Sequence, residues 1–122
     1  FAHAYEASLG FSKKLNHGEA VILGIKTALN FSFKYNLLNK NDYNLIINHI
    51  SNSNLPSSIN KFFNVKDLNK IISYMIKDKK NNSDKINLVL LKRIGLPLIN
   101  KEFNKKSLSL FLKNELRNLN LD

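Results

Sequence analysis

At 122 residues the chain is long enough for one hydrophobic core and too short for two. Apolar residues make up 43%, ordinary for a globular protein, with no run near the roughly 20 residues that span a bilayer. Cys is absent, which excludes a disulfide framework, and the net charge of +10 comes from scattered lysines. Arg is confined to Arg93 and Arg117, so no guanidinium cluster exists for bidentate contacts to phosphate or guanine. The basic balance therefore reads as the Lys- and Asn-rich usage of an AT-rich gene and not as a nucleic-acid interface; a small anionic ligand fits it equally well. With no signal-peptide pattern and no Cys, a reducing, cytoplasmic setting is expected. The first residue is Phe, set inside a patterned segment, so the chain is expected to be a piece of a longer protein.

Residues 1–9 read as the end of a helix, with Gly10 as its stop. His3 and Glu6 are three apart and share a face of it. Tyr5 and Glu6 are the near partners expected to fix the tautomer of His3. Phe11 to Asn16 is a polar, basic loop. From residue 17 to about 36 the pattern is one long helix. Ala20, Val21, Leu23, Ile25, Ala28, Leu29, Phe31 and Phe33 leave it almost no polar face, which predicts a central, buried helix. Asn16 is its cap, and Glu19 falls where a capping box needs an acid. Gly24 predicts a close neighbour, at a helix cost of about 1 kcal/mol relative to Ala.

Leu37 to Asn41 is a turn, and Asp42 to about Ser51 an amphipathic helix with Tyr43, Ile46, Ile47 and Ile50 inward; His49 lies on its flank. Ser51 to Pro56 is a loop. Another helix opens at Asn64 or Val65, with Leu68, Ile71, Ile72 and Met75 at helical spacing. It runs into Lys77-Asp78-Lys79-Lys80 and a polar stop. Ile86–Leu91 and Leu96–Ile99 read as a hairpin, with Pro97 forcing its strand to an edge. A last helix, about Lys106 to Arg117, turns Leu108, Phe111, Leu112 and Leu116 inward. The expected fold is mainly α with one small β-hairpin, a single domain over residues 1–122.

Two of the three histidines, His3 and His17, flank the first loop. No pair lies four apart on one helix face, so no generic metal motif is present. His17 stands where the N–H groups of a helix N-terminus point outward and favour anions. For Lys79 and Lys80 the residues alone suggest a solvated helix end.

Phe1-Ala2-His3-Ala4-Tyr5-Glu6-Ala7, then Gly10-Phe11, then Leu15-Asn16-His17-Gly18-Glu19-Ala20-Val21 with Gly24, resembles the C-terminal domain of the 3-dehydroquinate synthase family. Met75-Ile76-Lys77-Asp78-Lys79-Lys80, followed by Ile86 to Leu91 and Ile94-Gly95, looks like that family's Asp-Lys-Lys segment and hairpin; Leu55-Pro56 falls at its Gly-Leu-Pro loop. The histidine motif alone is shared with metal-dependent alcohol dehydrogenases, and the Asp-Lys-Lys segment narrows the resemblance to the synthase.

The resemblance implies conversion of 3-deoxy-D-arabino-heptulosonate 7-phosphate to 3-dehydroquinate in the shikimate pathway, with NAD and a divalent metal, zinc or cobalt. By it, His17 is a metal ligand. His3 and one of the two lysines, Lys79 or Lys80, touch and act on the phosphorylated sugar-acid substrate, and Asp78 holds its neighbours in place. The family motif begins Gly-His-Thr just before the Phe that is residue 1 here, and carries a further metal-binding histidine. A ligand glutamate and the NAD-binding half also lie upstream. None of these is in this sequence, so the chain is expected to supply one metal ligand, to need an N-terminal half as partner, and to be inactive alone. Family members are commonly homodimers. The alternatives are a related sugar-phosphate cyclase, a metal-dependent alcohol or glycerol dehydrogenase, and a basic helical binding module without catalysis.

Overall fold

A computed structural model describes residues 1–55, 58–76 and 85–117. Helix α1 is Ala2–Ser8, α2 His17–Lys34 and α3 Lys40–Asn52. Two 3-10 turns, Ile59–Lys61 and Val65–Asp67, lead into α4, Leu68–Met75. Strands β1, Lys85–Arg93, and β2, Leu96–Asn104, form an antiparallel pair, and α5, Lys105–Arg117, follows directly. The architecture is the expected mainly helical one with a single hairpin.

Local chemistry accounts for where the helices begin. Asn16 Oδ1 accepts from the Glu19 N–H at 2.8 Å, and the Asn16 N–H donates to Glu19 Oε1 at 3.1 Å, a reciprocal cap that uses two otherwise unpaired donors. Asn39 caps α3 through the Asp42 N–H, so that helix starts at Lys40, two residues before the expected Asp42. Asn64 and Asp67 form a second capping box, over the 3-10 turn that precedes α4. Of the loop expected over Ser51 to Pro56, Ser51 and Asn52 are the end of α3, Ser53 to Leu55 are loop, and Pro56 lies outside the described residues.

Helix α2 is the post on which the rest leans, although it is less enclosed than its composition suggests. Leu23 and Phe31 are fully buried, whereas Ile25 is 44% and Phe33 38% exposed. α1 and β1 pack against the side of α2 that carries Leu23 and Phe31, and α3 packs against Leu29. Phe31 is the centre of an aromatic cluster, with Tyr35 stacked at 4.5 Å between ring centroids and Phe103 and Phe111 edge-on at 4.7 and 4.9 Å. On the α3 side, Leu29, Leu38 and Ile50 form a smaller cluster. An apolar residue on α2 thus does not report by itself whether a partner covers it.

The hairpin is longer than expected on both strands. The expected strands end where polar residues begin, at Lys92 and Asn100. In a two-stranded ladder one face is solvated, and polar side chains there cost nothing. Ile86, Leu88 and Leu90 point into the core while Asn87 and Val89 face out. The register slips between Leu88 and Leu90 and again between Leu91 and Arg93, and Pro97 pairs with Leu91. Ser32 Oγ accepts from the Leu91 N–H at 3.1 Å, which ties β1 to α2, and Asp42 Oδ2 accepts from the Ile94 N–H at 3.1 Å, which ties the hairpin turn to α3.

α1 is held against α2 at two points. A Cβ on Gly24 would stand 2.8 Å from the Ala2 backbone nitrogen, so the glycine is what lets the first turn of α1 sit on α2. Deeper in, Tyr5 is fully buried with its hydroxyl 2.7 Å from Thr27 Oγ1. Thr27 spends its only hydroxyl proton on the Leu23 carbonyl at 2.7 Å, so Tyr5 is the donor.

Burial pushes the Tyr5 phenol well above its usual 10.0, and Tyr43 is raised by burial and by the Glu115 carboxylate. The unfolded chain releases these protons near pH 10 while the folded chain keeps them. Their contribution is therefore intact below about pH 10 and drains away as pH rises beyond it. The unfolding free energy from urea titrations is expected to fall steeply above about pH 10, by about 1.4 kcal/mol per pH unit for Tyr5. Tyr5→Phe should flatten that slope, at a cost of about 1 kcal/mol at neutral pH from the lost hydrogen bond.

The corner between α1 and α2

The loop from α1 to α2 reverses the chain with two successive left-handed residues, Gly10 at φ +66° and Phe11 at φ +55°. Glycine adopts that backbone freely and phenylalanine does not, so the Phe11 position is a strained one held by its surroundings. The Phe11 N–H donates to the Glu6 carbonyl at 2.9 Å, which folds the loop back on α1. Leu15 is buried in the core just before the cap, and His17 follows as the first residue of α2.

This reversal brings Glu6 to His17. Glu6 Oε1 lies 3.0 Å from His17 Nδ1, within hydrogen-bonding distance. The two ends differ in setting: the histidine side chain is 78% exposed and the glutamate side chain 16%. The carboxylate is thus partly sheltered and anchored, while the imidazole reaches out from it. With Nδ1 taken, Nε2 is the nitrogen left for another partner.

His3 has a different neighbourhood from the one expected. Tyr5, two positions on, lies toward the opposite side of the helix and points into the core. Glu6 shares the His3 face, but its carboxylate is engaged by His17. The ring beside His3 is that of Phe11, with centroids 6.0 Å apart and planes tilted by 52°. His3 is exposed and stands on the rim of a groove of about 440 Å³ between α1, α2, α4 and β1, lined mainly by apolar side chains such as Ile25, Tyr74 and Val89. No hydrogen bond or ion pair joins His3 to His17 among the described residues.

Glu19 is committed to the cap, which matches its structural reading. His49 is exposed near the end of α3, and Met75 is half-buried against the core. Asp78, Lys79 and Lys80 lie outside the described residues. Among the described residues no three His, Asp or Glu side chains converge on a point that could hold a metal ion. Nor is any described helix long and apolar enough to cross a membrane.

The family model for the 3-dehydroquinate synthase C-terminal region matches residues 1–81. This chain belongs to that family. It is 61% identical over 116 residues to the 3-dehydroquinate synthase of Pelagibacter ubique, a stretch covering 95% of this chain and 32% of that protein. The 3-dehydroquinate synthase of Zymomonas mobilis is 36% identical over 116 residues, again 95% of this chain and 31% of the relative. That of Coxiella burnetii is 33% identical over 114 residues, 93% of this chain and 31% of the relative. The chain spans about a third of the length of the curated relatives it matches.

A metal implied by this family can be tested against the donor set at the corner. A histidine ligand usually has its second nitrogen bonded to a carboxylate, and the Glu6 contact gives His17 that arrangement. The residues therefore fit a metal as a partial donor set: one imidazole here, with the remaining ligands to come from elsewhere. Sequence reasoning found both histidines and missed the contact that orients one of them. Glu6 and His17 are separated by a loop whose course depends on Gly10 and Phe11, and Gly10 was the only hint of so tight a reversal.

Proposed function

We propose that the chain is the metal- and substrate-binding C-terminal domain of a 3-dehydroquinate synthase, a lyase of the shikimate pathway that serves aromatic amino acid biosynthesis in the cytoplasm. In this reading the completed enzyme converts 3-deoxy-D-arabino-heptulosonate 7-phosphate to 3-dehydroquinate and phosphate. The observation that carries it is His17, opening α2 with Nδ1 on Glu6 and its other nitrogen free at an exposed corner, in a chain of this family.

His17 would hold the metal through Nε2. The remaining ligands and the NAD site would be supplied by the upstream half of the protein. The metal, when bound, supplies Lewis-acid polarisation of a substrate hydroxyl or carbonyl, and NAD supplies reversible oxidation. His3, exposed on the groove rim with Phe11 against its ring, is suited to contact the substrate phosphate and to move a proton near it. Lys79 or Lys80 would pair with the anionic substrate. The N–H groups opening α2 add to the attraction for negative charge. The partners in this reading are the upstream NAD-binding half and a second copy of the enzyme, with no role for nucleic acid or membrane.

Co-expression of this chain with its upstream half, followed by an assay for phosphate release, tests the proposal. Release that requires both parts and NAD is the expected outcome, with none from the chain alone. A folded, assembled protein that oxidises glycerol or another polyol and leaves the heptulosonate phosphate intact would move the assignment to a dehydrogenase.

A further inference from the structure

We infer that Glu6 is the positioning residue for His17: its carboxylate holds the ring proton on Nδ1 and turns Nε2, with its lone pair, toward the metal. The inference rests on the reading of His17 as a metal ligand and adds to it a residue with no assigned role. Three observations meet here. The Glu6 Oε1 to His17 Nδ1 distance of 3.0 Å is a hydrogen bond, and a carboxylate accepts only, so an N–H must sit on Nδ1. Glu6 itself is anchored. The opposite side of α1 buries Ala4, Tyr5, Ala7 and Ser8, the first turn of α1 is in contact with Gly24, and the Glu6 carbonyl accepts the Phe11 N–H. His17 by contrast has no packing of its own to fix its ring, since it is the first residue of its helix and 78% exposed.

A role in stability explains this contact poorly. A carboxylate–imidazole contact with one end so exposed contributes little to folding, and the capping of α2 is already done by Asn16 and Glu19. Two acids therefore stand near the start of α2 with separate tasks: Glu19 closes the helix end, and Glu6 aims the imidazole. A side chain so exposed otherwise samples several rotamers and both tautomers, and each must be given up on metal binding. Fixing them beforehand lowers that cost.

The test has two arms. In the 122-residue chain without metal, ring ¹⁵N shifts of His17 at a pH where the imidazole is neutral should report the proton on Nδ1. Glu6→Ala should transfer it largely to Nε2, while Glu6→Gln, whose amide oxygen still accepts, should keep much of it on Nδ1. In the protein completed by its upstream half, Glu6→Ala should weaken zinc affinity by roughly 10–100-fold in a chelator competition, with Glu6→Gln in between. Unchanged His17 tautomer in Glu6→Ala overturns the inference, as does unchanged zinc affinity in that variant when His17→Ala has lost the metal. If both Glu6→Ala and His17→Ala keep full zinc affinity while the tautomer shifts, the metal reading fails and Glu6 is left as the orienting partner of a histidine with another use.

Discussion

His17→Ala, made in the protein completed by its upstream half, is expected to lose bound metal and synthase activity together. Removing one of about three protein ligands from a catalytic metal site leaves too few to retain the ion. Metal content by mass spectrometry should fall from near stoichiometric to near background, and NAD-dependent phosphate release should drop by orders of magnitude. The cost to folding should be small, because the His17 side chain is exposed and the cap of α2 is made by its neighbours. Thermal unfolding within a few degrees of the parent would separate loss of a ligand from loss of the fold. His49→Ala is the matched control: an exposed histidine on α3 whose removal should alter neither metal nor activity. A His17→Ala protein that retains stoichiometric zinc would break the assignment.

Phe31→Ala should be the most damaging single truncation for stability. Its ring is fully buried and touches Tyr35, Phe103 and Phe111 within 4.9 Å, so α2, β2 and α5 all close on it. Removing such a side chain costs about 3–5 kcal/mol, from lost transfer energy and from the cavity left behind. That is a large share of the roughly 5–15 kcal/mol that holds a domain together. The same change at Phe33 should cost clearly less. That ring is 38% exposed and is stacked on Tyr43 alone, at 4.4 Å. Urea midpoints of the two variants decide the comparison, and equal losses would mean that the aromatic cluster is not the centre of the core.

The pair illustrates how far pattern reading reaches. Phe31 and Phe33 look alike in a helix with so few polar residues, and the expectation of an enclosed α2 treated them alike. What separates them is two residues of helical phase, about 200° of rotation, together with which neighbours were recruited to each side. Along the hairpin the limit was different. Ile86 to Leu91 reads as a strand from its short, apolar run, which does not say that Val89 faces out, and the polar residues continuing β2 carry no such signal, since a solvated face accepts them.

The chain by itself determined which segments are helical, the cap of α2 and its family. Apolar spacing, Asn16 with Glu19, and the order of the histidine and Asp-Lys-Lys motifs are local properties that survive in one dimension. It also carried the two histidines, although only the resemblance to a family gave them a chemical meaning. The tertiary structure alone decided which acid serves which histidine. Glu6 lies one turn along α1 from His3 and was expected to partner it, yet it reaches His17 across the loop. The outcome depends on the rotation of α1, set by burying Ala4, Tyr5, Ala7 and Ser8, and on the left-handed reversal at Gly10 and Phe11 that returns the chain to α1. Neither the rotation nor the reversal is written in the spacing of the charged residues, because the first is set by packing and the second by the backbone at Gly10 and Phe11.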